Sequence, residues 1–347
     1  MRVLVAMSGG VDSSVAAALL HDAGHEVVGA TMKLWGGPSD SGCCSVADVR
    51  DARSVADRIG VDHHVFNFTE EFSAGVVAPY VADHAAGRTP NPCVECNRRL
   101  KFSALLDRAD RLGFDAIATG HHARVERRAG RWSLRRGADT AKDQSYVLSV
   151  LTAAELSRVL LPVGDLTKAK VRSLAATWGL VTAAKPDSQD VCFVAARSSA
   201  PGGGRAAFLG SRIALHPGRV VDATSGDELG SVEAVELVTV GQRRGLPGGA
   251  ASRRYVVGVD VAARSVVVGE PDLLLCDEVT LESRTWVGDE LPVGTACTVQ
   301  ASAHGRPVPA SLTATGVRFG ERARRVAPGQ LVACYRGDEV VGSGVAC

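Results

Sequence analysis

The sequence has no apolar run approaching the length of a membrane span, and its net charge is only +1 over 347 residues. With an N-terminus that starts directly on a core strand, the first absence predicts a cytoplasmic chain with no membrane partner. The second excludes a global electrostatic signature of nucleic-acid binding, so any such surface must be local. Lysine is scarce. Arginine outnumbers it 33 to 6, a ratio that suits forked phosphate contacts and codon bias equally. No internal repeat is apparent, and the length suits two or three domains. Nine cysteines in a cytoplasmic chain do not read as a disulfide framework, so their spacing is read for catalysis or metal.

Met7-Ser8-Gly9-Gly10-Val11-Asp12-Ser13-Ser14 follows the apolar run Val3–Met7 and opens an alanine-rich helix ending near Gly24. A strand therefore turns through two glycines into a helix N-terminus, where free N–H groups and the helix dipole favour an anion. A Walker A loop is excluded, because the Gly-Lys-Ser/Thr ending is missing. The motif resembles the PP-loop of the N-type ATP pyrophosphatases, which cut ATP between its α and β phosphates. By that resemblance Ala6, Met7, Ser8, Gly9, Gly10, Val11, Asp12 and Ser13 bind ATP, with Mg²⁺ as an expected companion.

Up to residue 200, apolar β-type runs alternate with helical patterns. Glu26–Leu34, His63–Phe68 and Asp115–Thr119 read as strands, and 46–59 as an amphipathic helix stopped by Gly60. Asn97–Leu112 reads as a further helix ended by Gly113. The alternation implies a doubly wound parallel sheet, an α/β fold with ligands at the carboxyl ends of its strands. Ser8–Ser14, Met32 and Gly120 fall there. Beyond a Gly-rich linker at 200–205 the helical period disappears. Short β-type runs (238–240, 255–259, 265–268, 296–299, 331–335) between Gly, Pro and Asp turns predict an all-β half of two small domains. The expected division is 1–199, 200–270 and 271–347.

Thr89–Phe102 brings Cys93 and Cys96 one turn apart behind two prolines, with Arg98, Arg99 and Lys101 close by. A helix N-terminus with such neighbours depresses a thiol pKa. A zinc half-site is the alternative, but the only nearby further ligands are the pair Cys43-Cys44. Cys192, in Lys185–Val194, lies where the last strand should reach the site.

These segments, with Ala118–His121, Lys142–Tyr146, Gly241–Leu246 and Pro328–Gln330, occur in the order seen in the bacterial tRNA-specific 2-thiouridylase (MnmA) family, which the chain resembles over essentially its whole length. The resemblance implies a PP-loop domain of the adenine nucleotide alpha hydrolase type, and as substrate the wobble uridine of the Lys, Glu and Gln tRNAs. ATP would adenylylate O2 of the uracil, and cysteine-borne sulfur would then replace it to give 2-thiouridine. Met32 and Gly120 join the ATP site. Cys192 would receive persulfide sulfur from a donor or relay protein, and Cys96 would attack it, releasing sulfide or closing a disulfide. His121, Lys142, Asp143, Gln144, Arg243 and Gln330 would contact tRNA. Many members have Asp where this chain has Cys93, so the acid/base role given to that Asp has no carboxylate here. Three cysteines (Cys93, Cys96, Cys192) also match the ligand count of a [4Fe–4S] cluster with one open iron. Spacing admits both routes.

Six arginines between Arg124 and Arg136, with Trp132, directly follow Gly120-His121. This position favours phosphate contacts over a merely solvated face. Two other readings compete. A PP-loop ligase using ammonia would need no paired thiols, and an RNA-binding protein stapled by zinc and ATP would leave Asp12-Ser13-Ser14 without a task.

Overall fold

The structure is a computed structural model that describes residues 1–35, 45–187, 191–194, 203–247 and 253–347. Cys43 and Cys44, and part of the 185–194 motif, lie outside the described residues.

The first sheet is built from β1 (Arg2–Ala6), β2 (Glu26–Lys33), β3 (Asp62–Asn67) and β4 (Ala116–Ala118). A hairpin, β5 (Ala123–Arg128) and β6 (Arg131–Arg136), intervenes before β7 (Val159–Leu160) completes it. The order is β3-β2-β1-β4-β7, and every pairing is parallel. Side chains alternate across a strand. Val3 and Val5 accordingly face the helices Val11–Asp22, Val46–Ile59 and Lys168–Thr177, while Leu4 packs with the helical layer of residues 69–111. Both faces are covered, as an all-parallel sheet requires. The strand order reverses between β1 and β4, so the crevice at their carboxyl ends is the topological switch point.

The predicted Asn97–Leu112 helix is displaced and compound. It starts at Pro92, where Asn91 accepts a hydrogen bond from the Cys93 amide at 3.1 Å, and winds as a π-helix over Cys96–Ala104 before Leu105–Arg111 resumes the α form. Such wide turns in helices occur mostly at functional sites. The linker expectation fails from Gly203 onward. Gly203–Gly210 is a helix that buries Ala206 and Leu209, a pattern too short to show a period in sequence.

The central sheet joins β8 (Gly218–Asp222), β9 (Glu228–Val232), β10 (Tyr255–Asp260) and β11 (Ser265–Gly269) in the order β10-β11-β8-β9. Val238–Val240, expected as a strand, follows a short 3-10 turn and forms no strand, with only Val240 in a turn. The last sheet holds β12 (Leu275–Trp286), β13 (Ala296–Gln300), β14 (Val308–Leu312), β15 (Gly316–Arg324), β16 (Leu331–Arg336) and β17 (Glu339–Ala346). Pairing of β12 with both β15 and β17 closes these six into a barrel, which leaves no open edge within the ring.

The hairpin β5–β6 leaves the first domain and pairs with β17 through Glu339↔Arg135 and Val340↔Leu134. Leu134, Tyr146, Leu331, Ala333, Tyr335 and Val340 share one buried cluster with Leu4 and Ile117 of the parallel sheet. The parallel-sheet unit and the barrel thus share a core. Continuity of that kind makes independent motion costly.

Candidate active site

The Met7–Ser14 loop follows β1 as expected. Gly9 has φ +71°, and a Cβ there would lie 2.3 Å from the Asp48 carbonyl oxygen, so only glycine lets the loop rest on the 46–59 helix. Gly120, after β4, would place a Cβ 2.5 Å from the Ser13 amide nitrogen. The two loops at the switch point therefore touch backbone to backbone. Ser13 Oγ accepts from the Ser8 amide at 3.2 Å and lies 3.1 Å from the Gly10 carbonyl. Ser14 is internal: its hydroxyl donates to Gly10 O at 2.8 Å and accepts from Thr182 Oγ1 at 3.0 Å. No side chain caps the helix at Gly10, which leaves its first turn to an anion.

Lys168 was not among the sequence candidates, yet it supplies the cation that the loop motif lacks. Its Nζ lies 2.7 Å from both carboxylate oxygens of Asp12 and 2.8 Å from Asp187 Oδ1. His122 Nε2 donates to Asp12 Oδ1 at 3.1 Å. Asp187 also accepts from Lys142 Nζ at 2.9 Å and from Arg172 at 2.9 Å. A signal did exist. A helix that starts at Thr167, shortly after β7, must present its first turn at the carboxyl edge of the sheet.

Burial would raise the Asp12 carboxyl, but hydrogen bonds from His122 and Lys168 outweigh it and hold the group below its ordinary value. Burial likewise opposes ionisation of Asp187, and the Lys168 and Lys142 bonds pull it down to about 2. Both carboxylates are charged at neutral pH. His121 is buried and pushed down to about 3, first by desolvation and then by Lys101 and His122, so it stays neutral. Its Nδ1 is 2.7 Å from Thr119 Oγ1.

Cys93 is exposed, Cys96 is buried at 6% and Cys192 is half-buried. Cys96, Cys192 and Met32 border the same apolar cluster, in which Phe193 packs against Phe72, Tyr80 and Trp35. Ahead of Cys192, Asp187 is tied to the loop side through Lys168, and Lys185 Nζ lies 2.7 Å from Asp48. Among the described residues no three His, Cys, Asp or Glu side chains converge to hold a metal ion. The three cysteines do not fit a cluster cradle in this arrangement.

The expected tRNA residues separate. Lys142 is partly exposed at the Asp187 ion pair, and Arg243 is exposed. Asp143 is buried, its carboxylate accepting from Gly137 N, Ser145 N, Ser145 Oγ and Arg136. Gln144 accepts from the His122 amide at 2.8 Å. Gln330 donates its side-chain amide to the Thr89 carbonyl. In the arginine hairpin, Arg124 and Arg135 pair with Asp338, Arg131 with Glu339, Arg128 with Glu126 and Arg136 with Asp143. Arg127 stacks over Trp132. Much of that run docks the barrel.

A family sequence model described as tRNA methyl transferase HUP domain matches residues 1–196. Models of the same set match 206–270, as a PRC-barrel domain, and 276–346, as an aminomethyltransferase β-barrel domain. The tRNA-specific 2-thiouridylase MnmA of Acidothermus cellulolyticus is 47% identical over 356 residues, covering 99% of this chain and 96% of that protein. The chain belongs to this family. Its namesake from Rhodococcus jostii is 46% identical over 99% of the chain and 97% of its own length. That of Mycobacteroides abscessus is 46% identical over 99% of both. Among solved structures, a 4-thiouridine synthetase–RNA complex with bound ATP aligns at 18% identity and TM-score 0.38, covering 55% of this chain and 44% of that one. Membership in this family rests on the sequence models and on the full-length relatives. No helix among the described residues is long and apolar enough to cross a membrane.

Proposed function

We propose that the protein is an ATP-dependent tRNA-uridine 2-sulfurtransferase acting at C2 of the wobble uridine of the Lys, Glu and Gln tRNAs. The observation that carries this reading is Lys168, which bridges the PP-loop carboxylate Asp12 and Asp187 of the Cys192 segment. Anion chemistry and sulfur chemistry meet at one ammonium.

A uracil carbonyl oxygen is a poor leaving group, and adenylylation makes it a good one. O2 attacks the α phosphorus and pyrophosphate departs. The chain's part is to neutralise and orient the phosphates, with backbone N–H groups at the start of the Val11–Asp22 helix and the cations Lys168, Lys142 and Arg172. Mg²⁺ accompanying ATP needs only one or two carboxylates, and Asp12 is the one on the loop; the ion would supply further screening of phosphate charge. Sulfur then attacks C2 and AMP leaves with the former O2. A persulfide on Cys192, loaded by a sulfur-donor or relay protein, is opened by the Cys96 thiolate. Sulfide is released, and a Cys96–Cys192 disulfide remains to be reduced by an external thiol. The buried, apolar surround of Cys96 keeps water from this step. Methyl transfer, the wording of the family description, would leave the loop, Lys168 and both thiols without a task.

Pyrophosphate release from ATP that depends on unmodified tRNA, followed by 2-thiouridine when a persulfide donor is added, is the test. A protein that releases no pyrophosphate with any tRNA would end the reading.

A further inference from the structure

Thr89 is a junction of all three structural units. Its amide donates to the Pro328 carbonyl at 2.7 Å, and its carbonyl accepts from Gln330 Nε2. Its hydroxyl donates to Thr239 Oγ1 at 3.2 Å. Pro328 and Gln330 belong to the barrel, and Thr239 to the central β unit. Thr89 itself stands two residues before Asn91, whose side chain caps the helix that carries Cys93 and Cys96.

The fit is close as well as bonded. Gly329 has φ +90°, and a Cβ on it would lie 3.1 Å from the Thr89 backbone and 3.2 Å from the Pro90 nitrogen. The barrel loop is held from behind too, since Gly329 N donates to Ala346 O and Gln330 O accepts from Ala346 N, both at 2.8 Å. Tyr146 OH donates to Leu331 O at 2.8 Å, fixing the next residue to the catalytic layer. Beside this, Arg88 pairs with Glu282 of the barrel, and His84 Nδ1 lies 3.1 Å from the Glu236 carbonyl of the central unit. Between Thr89 and Cys93 stand two prolines, Pro90 and Pro92, whose fixed φ removes most of the slack. A displacement of the barrel loop therefore reaches the thiols with little loss.

We infer that Gln330, Gly329 and Thr239 are positioning residues, and that the two β units set the pose of Cys93 and Cys96 through Thr89. RNA that engages the β units thereby acts on the thiol segment and not only on its own affinity. The inference deepens the proposed sulfur transfer and rests on it for its catalytic meaning, while the positioning itself can be read without any activity.

The experiment compares Gln330→Ala, Gly329→Ala and Thr239→Val with the wild-type full chain. Alkylation of Cys93 and Cys96 by iodoacetamide is followed by peptide mass in the absence of RNA, alongside thermal unfolding. Each variant is expected to change the alkylation rate by on the order of fivefold, the factor one neutral hydrogen bond is worth. In assays with tRNA, the ratio of thiolation to pyrophosphate release should fall by a similar factor. Unchanged alkylation in all three variants, with only the tRNA affinity of Gln330→Ala reduced, would overturn the inference and leave Gln330 a plain RNA contact. Altered alkylation in a protein whose wild type shows no tRNA-dependent pyrophosphate release would uphold the positioning while removing the proposed activity.

Discussion

Ahead of Cys93 and Cys96, Thr89 is held to two β units by neutral hydrogen bonds, with the Arg88–Glu282 ion pair beside it, whereas Asp187, ahead of Cys192, is held by ion pairs beside the nucleotide loop. The two anchors answer to different ligands. Neutral backbone bonds hardly respond to salt or to phosphate, but they transmit displacement. Ion pairs at Lys142, Lys168 and Arg172 compete directly with an arriving triphosphate, because the same cations suit both partners. On the proposed reading, nucleotide would act on the Cys192 side and RNA docking on the Cys96 side, and sulfur transfer would wait on both.

The largest expected effect tests whether both sides are needed. Serine at Cys96 or at Cys192 should reduce thiolation by about a thousandfold or more, the usual cost of deleting a covalent nucleophile. Pyrophosphate release should continue, since adenylylation precedes sulfur attack. Wild-type thiolation by either variant would remove the persulfide account. In Cys93→Ser, whose thiol is exposed and in no metal-ligand set among the described residues, thiolation should persist in iron-free protein.

Next in size is the nucleotide side of the comparison. Lys168→Met should lower pyrophosphate release by about a hundredfold, the range measured when one preorganised donor to developing charge is lost. Asp187→Asn should be milder on that step. It should raise Cys192 alkylation in nucleotide-free protein by about tenfold, because charge-assisted bonds are worth more than neutral ones. ATP should raise Cys192 alkylation in the wild type and do less in Asp187→Asn. If ATP changes Cys96 alkylation instead, the division of labour is wrong.

A pH experiment follows from the same carboxylate. Asp187 is held at about 2 against an ordinary 3.8, its desolvation outweighed by Lys168 and Lys142. A depressed folded value means the stabilisation is fully present above the unfolded value and is lost as pH falls through the folded one. Wild-type stability should thus drop between roughly pH 4 and pH 2, and the Asp187→Asn protein should show a shallower slope there by acid unfolding. His121, pushed down from 6.5 to about 3 by burial, stays neutral in the folded protein while the unfolded chain protonates it, so it should add a fall in stability that begins near pH 6.5 and ends near pH 3.

What could be read from sequence divides along the range of the interactions. The loop, the 46–59 helix with its Gly60 stop and the β1, β2 and β3 runs are local patterns, and they appear where expected. Of the six barrel strands, β13 and β16 match the runs 296–299 and 331–335 within a residue, while β12, β14, β15 and β17 give no clear signal of their own. Lys168 was missed because its meaning is not local: 156 residues separate it from Asp12. The hairpin β5–β6 reads in sequence as a phosphate-contact surface, since nothing in its own residues reveals that Asp338 and Glu339 will meet it. Gln330 looked like a family RNA contact, and only the fold brings Thr89 to it across 241 residues. Short helices such as Gly203–Gly210 hold too few positions to show a period.

The smallest expected effect concerns that hairpin, and it asks whether RNA has a second route into the catalytic layer. Arg124, Arg131 and Arg135 are engaged with barrel carboxylates, and Arg136 bonds Asp143 and Gln300 while stacking on Tyr335 at 3.8 Å. Arg127 and Arg128 alone point their exposed charge away from the barrel partners, one over Trp132 and one to Glu126 on its own hairpin. Were both bound to phosphate, replacing them by glutamine would reduce the slope of log K against log salt by about 1.8 for duplex-like RNA contacts. With the hairpin serving mainly to dock the barrel, the expected change is below about half a unit, within the modest worth of exposed ion pairs. Arg135→Gln, by contrast, should lower the unfolding midpoint without touching the salt slope, because it breaks the Asp338 contact at the β6–β17 seam. A full change of slope in the Arg127/Arg128 variant would mean that RNA pulls on the hairpin directly, and the Thr89 junction would then be one of two paths from RNA to the thiols.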